Sequence, residues 1–218
     1  MLSDNLLHLD ARAKSLKWDK KTNSYKLGNR KVSDAQLYRL IRSEVKVNEQ
    51  KFEKLANRLI SGDISFEQWQ SQMSDTIRRS HVKMARIGRG GKSNTFAYHY
   101  LMTGNDMRTI HYPALQQFSQ EIADGKLTPK QIVARSKLYG SASKNSFEVA
   151  RLSLYDNQPE TLARRRLGAC RDHCSDCLRY ASAGWVSLSA IIPPGERCQC
   201  KMNCCCSVEI KSNAQIQA

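Results

Sequence analysis

The feature that most restricts the fold of this chain is the confinement of all eight cysteines to residues 170–206. Cys174 and Cys177 form a C-x-x-C pair, a spacing that lets two thiolates from one tight turn reach a single ion. A second cluster at residues 200–206 can supply the other half of a tetrahedron. Because four thiolates around one ion are the commonest closed arrangement of structural zinc, the sequence predicts a Zn²⁺ site near the C-terminus.

The choice of ligands is less constrained than the presence of a site. The favoured ligands are Cys174, Cys177, Cys200 and Cys204, with Cys206 and His173 as replacements. Neighbouring cysteines such as Cys204 and Cys205 point apart on extended backbone, so the run 204–206 rarely gives three ligands to one ion. A disulfide framework is the alternative, and it requires an oxidising compartment.

The balance of charge indicates a polyanionic partner. The formal net charge is +15 over 218 residues, and nucleic acid is the partner that this charge favours, although a basic protein can also be simply soluble and cationic. Lysine and arginine are spread along the chain, which suits sequence-independent phosphate contacts. The candidate phosphate contacts are Arg164, Arg165, Arg166, Arg89 and Lys92. With no export leader at Met1 and no long apolar run, we expect a soluble chain without membrane contact, made in the cytoplasm, where thiols stay reduced.

The first half of the chain reads as an arm followed by helical hairpins. Residues 1–32 predict an irregular or two-stranded arm, either a subunit contact or a frayed terminus. Ser33 is an expected N-cap of a long amphipathic helix that Gly62 ends. Residues 65–68 match a capping box that opens a second helix, which ends near Gly88 and pairs with the first.

A similar pattern of helix-ending and helix-capping residues recurs 63 residues later. Residues 125–131 repeat the pattern of residues 62–68, with Pro129 at the first helical position, and this predicts a second hairpin. We expect helices over 132–139 and 146–155, interrupted at Gly140, and a basic helix over 160–166.

Short strands are expected around Val186 and over 208–210 in the cysteine-rich part. So small a module cannot be stable on its apolar area alone, so removal of the ion should unfold it and leave the helices intact. The predicted fold is mainly α, a helical-hairpin body followed by a small zinc-stapled α+β module. The predicted divisions are an N-terminal arm (1–32), a helical body (33–159), a cysteine-rich module (160–210) and a loose tail (211–218).

Catalytic patterns are weak in this sequence. Residues 88–93 look like a phosphate loop, but Arg86 stands where the Walker pattern requires glycine, and a helix precedes the loop instead of a strand. A closed four-thiolate site has no open coordination position for hydrolysis. His8, His81, His99 and His111 are scattered along the body, and we expect them to be surface or interface residues. The sequence therefore predicts a protein that is not an enzyme.

Four segments of the last 50 residues together resemble a known family. They are His173–Cys177, Gly184–Val186, Pro193–Gly195 and Cys200–Cys206. In this order they resemble the C-terminal signature of the minor head, or head morphogenesis, proteins of tailed phages. The helical half is similar to that family in layout. Cys170, Cys198 and Cys205 exceed what the family pattern needs.

The resemblance implies a structural component of the virion head near the portal vertex, made in the host cytoplasm. Its partners would be the portal protein, the major capsid protein, or both, with multimers around the portal. It also implies a role in head assembly and in the packaging or delivery of double-stranded DNA, held through non-specific phosphate contacts. The alternative hypothesis is a host DNA-binding or regulatory protein with a zinc ribbon.

Overall fold

The computed structural model describes residues 15–91, 103–158, 160–170 and 172–211. Several predictions made above fall on residues outside these ranges. They concern the first 14 residues of the arm, His8, Lys92, His99 and residues 212–218 of the tail.

The described part of the arm is a three-stranded antiparallel sheet. Strands β1 (Leu16–Asp19), β2 (Ser24–Leu27) and β3 (Arg30–Lys31) follow one another, and Trp18 lies opposite Tyr25. Both aromatic side chains are buried, and their rings meet edge to face. The two-stranded alternative was therefore closer than the irregular one, with a third strand added.

The first hairpin forms as the capping pattern predicts. Helix α1 (Asp34–Ile60) begins after Ser33, and α2 (Phe66–Gly88) begins after Ser65. Each serine side chain accepts from the backbone N–H three residues on, and the glutamine at that position accepts from the backbone N–H of the serine. Two of the first unpaired N–H groups of each helix are satisfied in this way. The chain then reverses at Gly62, whose φ is +77°.

The second hairpin differs from the prediction at one position. A π-helical turn (Met107–His111) leads into α3 (Tyr112–Ala123), and α4 (Pro129–Leu152) opens at a capping box formed by Thr128 and Gln131. The expected break at Gly140 is wrong, because α4 runs through it. A Cβ at Gly140 would lie 2.5 Å from the backbone nitrogen of Glu49 in α1. This glycine therefore allows two helices to approach closely, and it does not end one.

The C-terminal module carries a second antiparallel sheet of three strands, in the order β5 (Val186–Ser187), β4 (Leu162–Arg166) and β6 (Ser207–Lys211). The predicted basic helix over 160–166 is wrong. Along β4, Ala163 and Arg165 are buried, whereas Leu162, Arg164 and Arg166 are more exposed, which is the period of two that a strand requires. The strands expected near Val186 and over 208–210 are present. A short helix, α5 (Ser175–Ser182), carries part of the cysteine cluster.

Two hydrophobic clusters hold these elements together. One is built between α1, α2, α3 and α4 around Trp69, Met73 and Phe118. The other joins the N-terminal sheet, the start of α1 and the C-terminal sheet, with Trp18, Leu37 and Val208 among its members. The protein is thus mainly helical with a small C-terminal module of short strands, as predicted. Among the described residues, every helix is too short or too polar to cross a bilayer.

Candidate metal centre

Two chain segments converge to form the cysteine cluster. Cys174 is the N-cap of α5, and Cys177 lies in the first turn of that helix. The other segment is the turn over residues 198–204, closed by backbone bonds from Lys201 to Cys198 at 2.9 Å and from Asn203 to Cys200 at 2.8 Å. An Asp176 carboxylate oxygen in α5 accepts from the backbone N–H of Gln199 at 3.1 Å, and this bond ties the two segments together.

Four thiols from these segments lie within reach of one ion. The Sγ atoms of Cys177, Cys198, Cys200 and Cys204 all lie within 4.8 Å of one another, and three of these residues are buried. Sγ of Cys177 is 3.5 Å from that of Cys200 and 3.7 Å from that of Cys204. A tetrahedral ion with Zn–S bonds of about 2.3 Å requires sulfur atoms about 3.8 Å apart. The cluster therefore has nearly the spacing of a metal–thiolate site.

The protonation of the cluster is uneven. Hydrogen bonds from the thiols of Cys198 and Cys206 hold the pKa of Cys204 far below its usual range. The bonds that favour the Cys204 thiolate raise the pKa of Cys198 and of Cys206. These shifts favour a thiolate at Cys204 and thiols at Cys198 and Cys206. A cation is required to deprotonate all four sulfur atoms together.

Arg165 lies beside the cluster with its side chain buried. Its guanidinium donates to the carbonyl of Ile192 at 2.7 Å and to that of Pro193 at 3.2 Å, and its Nη1 lies 3.8 Å from Sγ of Cys204. The cationic group thus faces the sulfur atom that holds negative charge most readily. It is placed to orient and stabilise a thiolate ligand.

The predicted ligands occupy three different positions. Cys177, Cys200 and Cys204 belong to the four-thiol cluster. Cys174 is at its edge and half-buried, with Sγ 3.5 Å from that of Cys200. Although burial acts to raise it, hydrogen bonds from the backbone of Cys177 and Cys200 lower the pKa of Cys174 to about 7. Cys206 is fully buried and in contact with Cys204.

Sequence reasoning missed Cys198. The family pattern leaves this residue surplus, yet its Sγ lies 3.5 Å from that of Cys200. The C-x-C spacing of Cys198 and Cys200 was the available signal. A strand would project both side chains to one face, and the tight turn that forms here instead also brings them together.

The structure contains one disulfide, which joins Cys170 to Cys205. We expected reduced thiols throughout the module. The other six cysteines are free, so the alternative of a full disulfide framework does not describe this chain.

The predicted phosphate contacts do not form one exposed basic surface in the described part of the chain. Arg165 is buried against the cysteines, and this corrects its assignment as a phosphate contact. Arg164 donates to Glu209 at 2.8 Å and stacks on Trp185. Arg89 donates to Ser153 at the end of α4. Among these four arginines, Arg166 alone has an exposed side chain. Its Nε lies 3.6 Å from the carboxylate of Glu209, so this ion pair is a long one.

Two histidines expected at the surface are buried. His81 and His111 lie with ring centroids 4.2 Å apart, and Nδ1 of His81 is 2.8 Å from Oγ of Ser146. Burial, together with the neighbouring His111, lowers the pKa of His81 well below its usual value, and burial lowers that of His111 to about 4. The pair is therefore neutral at pH 7. The expectation of surface or interface histidines is therefore wrong for both residues, because each is buried within the fold.

Comparison with protein-family models, curated proteins and solved structures finds no match to this chain.

Proposed function

We propose that this protein is a structural head protein of a tailed phage, in which a zinc ion fixes the C-terminal module to the helical body. The resemblance of residues 173–206 to minor head proteins supports the assignment to a phage head, and one observation supports the role of the ion. The four-thiol cluster continues directly into β6, whose Val208 and Ile210 lie in the same hydrophobic cluster as Leu37 and Ile41 of α1. An ion bound there would hold together parts of the chain that are distant in sequence.

Zinc is the metal that the donor set favours. Four thiolates select soft or borderline ions, and a tetrahedral arrangement of four sulfur atoms is typical of structural zinc. Four thiolates around Zn²⁺ carry a net charge of about −2, which the buried Arg165 partly offsets. Because all four positions of such an ion are filled by protein, its role is structural.

A buried polar network supports the same structural role. Nη1 of Arg151 in α4 donates to the hydroxyl of Tyr38 in α1 at 2.8 Å and to the carbonyl of Val208 in β6 at 3.1 Å. The Tyr38 hydroxyl also lies 3.0 Å from the Glu148 carboxylate. One network thus joins the two long helices to the strand that follows the cysteines. This network therefore holds the strand that follows the cysteines against the helical body.

The proposed partners follow from the resemblance and the charge. The portal protein, the major capsid protein or both would contact the helical body, and packaged double-stranded DNA would contact exposed lysines and arginines through its phosphates. The net charge of +15 supports the second contact. Copies would gather around the portal vertex of the head after synthesis in the host cytoplasm.

The proposal is tested on particles from cells that carry this gene. Proheads and DNA-filled heads are purified by gradient sedimentation, and the chain is quantified by mass spectrometry in each. We expect it in both particles at a few copies per portal ring, because an assembly component enters before DNA does. A chain that is absent from both would contradict the proposal. Tight, base-selective binding of the free full-length chain to duplex DNA would then favour the host zinc-ribbon hypothesis.

A further inference from the structure

A second group of metal-binding side chains lies beside the four-thiol cluster. Donor atoms of Cys170, His173 and Cys205 lie within 4.8 Å of one another. Nδ1 of His173 is 3.6 Å from Sγ of Cys170, 3.8 Å from that of Cys205 and 3.8 Å from that of Cys206. One imidazole nitrogen therefore has three sulfur atoms around it at nearly equal distances.

We propose that these four residues form a second zinc site, which the Cys170–Cys205 disulfide closes. Zinc bonds of about 2.3 Å to sulfur and about 2.0–2.1 Å to nitrogen place nitrogen and sulfur ligands about 3.6 Å apart in a tetrahedron. The three nitrogen–sulfur distances have this size. The site takes one divalent, thiophilic ion through three thiolates and one neutral imidazole.

The order of the ligands along the chain explains how one short segment can bind two ions. His173 precedes Cys174, which lies at the first cluster, and Cys205 follows Cys204, which belongs to it. Neighbouring side chains on extended backbone point to opposite sides, so within the adjacent pairs His173–Cys174 and Cys204–Cys205 the two side chains face different ions. Cys206 lies between the two groups, in contact with Cys204 on one side and His173 on the other. The run of three cysteines is therefore divided between two sites.

A cation lies near each group. Nζ of Lys144 in α4 donates to the carbonyl of Cys205 at 2.8 Å, as Arg165 approaches Cys204 in the first cluster. Three thiolates and a neutral histidine around Zn²⁺ carry a net charge of about −1. Lys144 is placed to offset this charge, and it also anchors the second site to the helical body.

The disulfide and the second ion exclude each other, because a bonded sulfur atom is not a thiolate. Reduction requires a dithiol. The dithiol supplies two electrons and two protons, the Cys170–Cys205 bond breaks to give two thiols, and the dithiol becomes a cyclic disulfide. Zinc then displaces the thiol protons of Cys170, Cys205 and Cys206 to solvent. The chain accordingly has a reduced state with two ions and an oxidised state with one.

Native mass spectrometry of the full-length chain tests this proposal with zinc as the probe. The protein is reduced with a dithiol, loaded with zinc and freed of excess reagent under argon. We expect two zinc ions per reduced chain. After oxidation we expect one zinc ion per chain, and the mass of the polypeptide itself should be lower by two hydrogens. His173→Ala should bind a single ion when reduced, and Cys177→Ser should lose the ion of the other site. A reduced wild-type chain that binds only one zinc, or a His173→Ala variant that binds two, would overturn it.

A second measurement does not depend on the folding of variants. Reduced wild-type protein is treated with iodoacetamide in the presence and in the absence of zinc, and alkylation is mapped by peptide mass. Zinc should slow the alkylation of Cys170 and Cys205 at least tenfold. Equal rates with and without zinc would contradict the second site. Both measurements use purified chain, so their outcome is independent of whether the protein is found in phage heads.

Discussion

At the scale of single residues, Arg165 shows how position changes the role of a charge. The sequence places it in a basic run, where it suggests a phosphate contact. The alternation of β4 turns it inward, toward the sulfur of Cys204 and two backbone carbonyls. It is buried without a carboxylate partner among the described ion pairs, so a metal–thiolate group is the anion that it is placed to accompany.

Replacement of Arg165 should therefore weaken metal binding. We expect Arg165→Met to lower zinc affinity about 10–100-fold, because the variant loses the cation that orients the Cys204 thiolate and stabilises its charge. Competition with a chromophoric chelator measures the change. Arg166→Met is the matched control, since the neighbouring side chain is exposed and points away. Equal affinities for the two variants would contradict the role given to Arg165.

The buried histidine pair predicts a dependence of stability on pH. Free histidine has a pKa of about 6.5, whereas His111 has a folded pKa of about 4 and that of His81 is also far below its usual value. Between these pH values the unfolded chain binds protons that the folded chain does not. The free energy of unfolding should therefore fall as pH is lowered from 7 toward 4, by at most about 1.4 kcal/mol per pH unit for each histidine.

The His81→Gln variant separates the effect of the histidines on stability from the opposite effect of the Asp106 carboxyl group. Burial, with Glu196 nearby, raises the pKa of Asp106 to about 6, so its contribution to stability increases as pH falls. His81→Gln keeps a hydrogen-bonding group near Ser146 and does not titrate. Denaturant unfolding across pH 4–7 should give a shallower slope for the variant than for the wild type. Identical slopes would show that His81 takes up its proton in the folded state.

At the scale of elements, Gly140 determines how closely α1 and α4 approach. A methyl group there would meet the backbone of Glu49, which belongs to a helix and cannot move alone. We expect Gly140→Ala to lower the free energy of unfolding by about 1–3 kcal/mol. Gly104→Ala is the control, because open space surrounds Gly104, residues 103–106 are helical, and alanine favours helix over glycine by about 0.5–1 kcal/mol. If Gly140→Ala were the more stable of the two, the close approach would be refuted.

The Tyr38 hydroxyl in α1 links the helical body to the backbone of β6. Tyr38→Phe should cost about 1–3 kcal/mol, because buried groups of Glu148 and Arg151 lose a partner. Thermal or urea unfolding measures this loss. Tyr180→Phe removes a hydroxyl whose hydrogen bond is exposed, and it should change stability by less than about 0.5 kcal/mol. A Tyr38→Phe variant as stable as Tyr180→Phe would contradict this role.

These elements also show which features could be predicted from the sequence. The capping boxes at Ser33, Ser65 and Thr128 depend on residues three positions apart, so local pattern reveals them. The local sequence does not predict the roles of Gly140 and Arg165, because they depend on neighbours distant in sequence, Glu49 for Gly140 and Cys204 for Arg165. Composition predicts a cysteine cluster that could hold a metal ion, but the membership of Cys198 depends on the fold of one turn.

At the scale of the whole molecule, the C-terminal module is integrated into the fold. Its strands share a hydrophobic cluster with the N-terminal sheet and α1, while the buried residues of the second cluster belong to the helical hairpins, with Met202 of the cysteine turn packed against them. Loss of an ion at the four-thiol cluster should therefore spread to the first hydrophobic cluster before the second. This expectation is more specific than simple unfolding of the last fifth of the chain.

Hydrogen–deuterium exchange of the zinc-loaded full chain, with and without a strong chelator, tests the central claim most directly. After chelation we expect the amides of β4 and β6 to lose protection first, followed by those of β1 and β2. Amides in the middle of α2, near Met73, should keep their protection. The result that would contradict the account is a metal-free chain in which β4 and β6 exchange as slowly as they do with zinc bound.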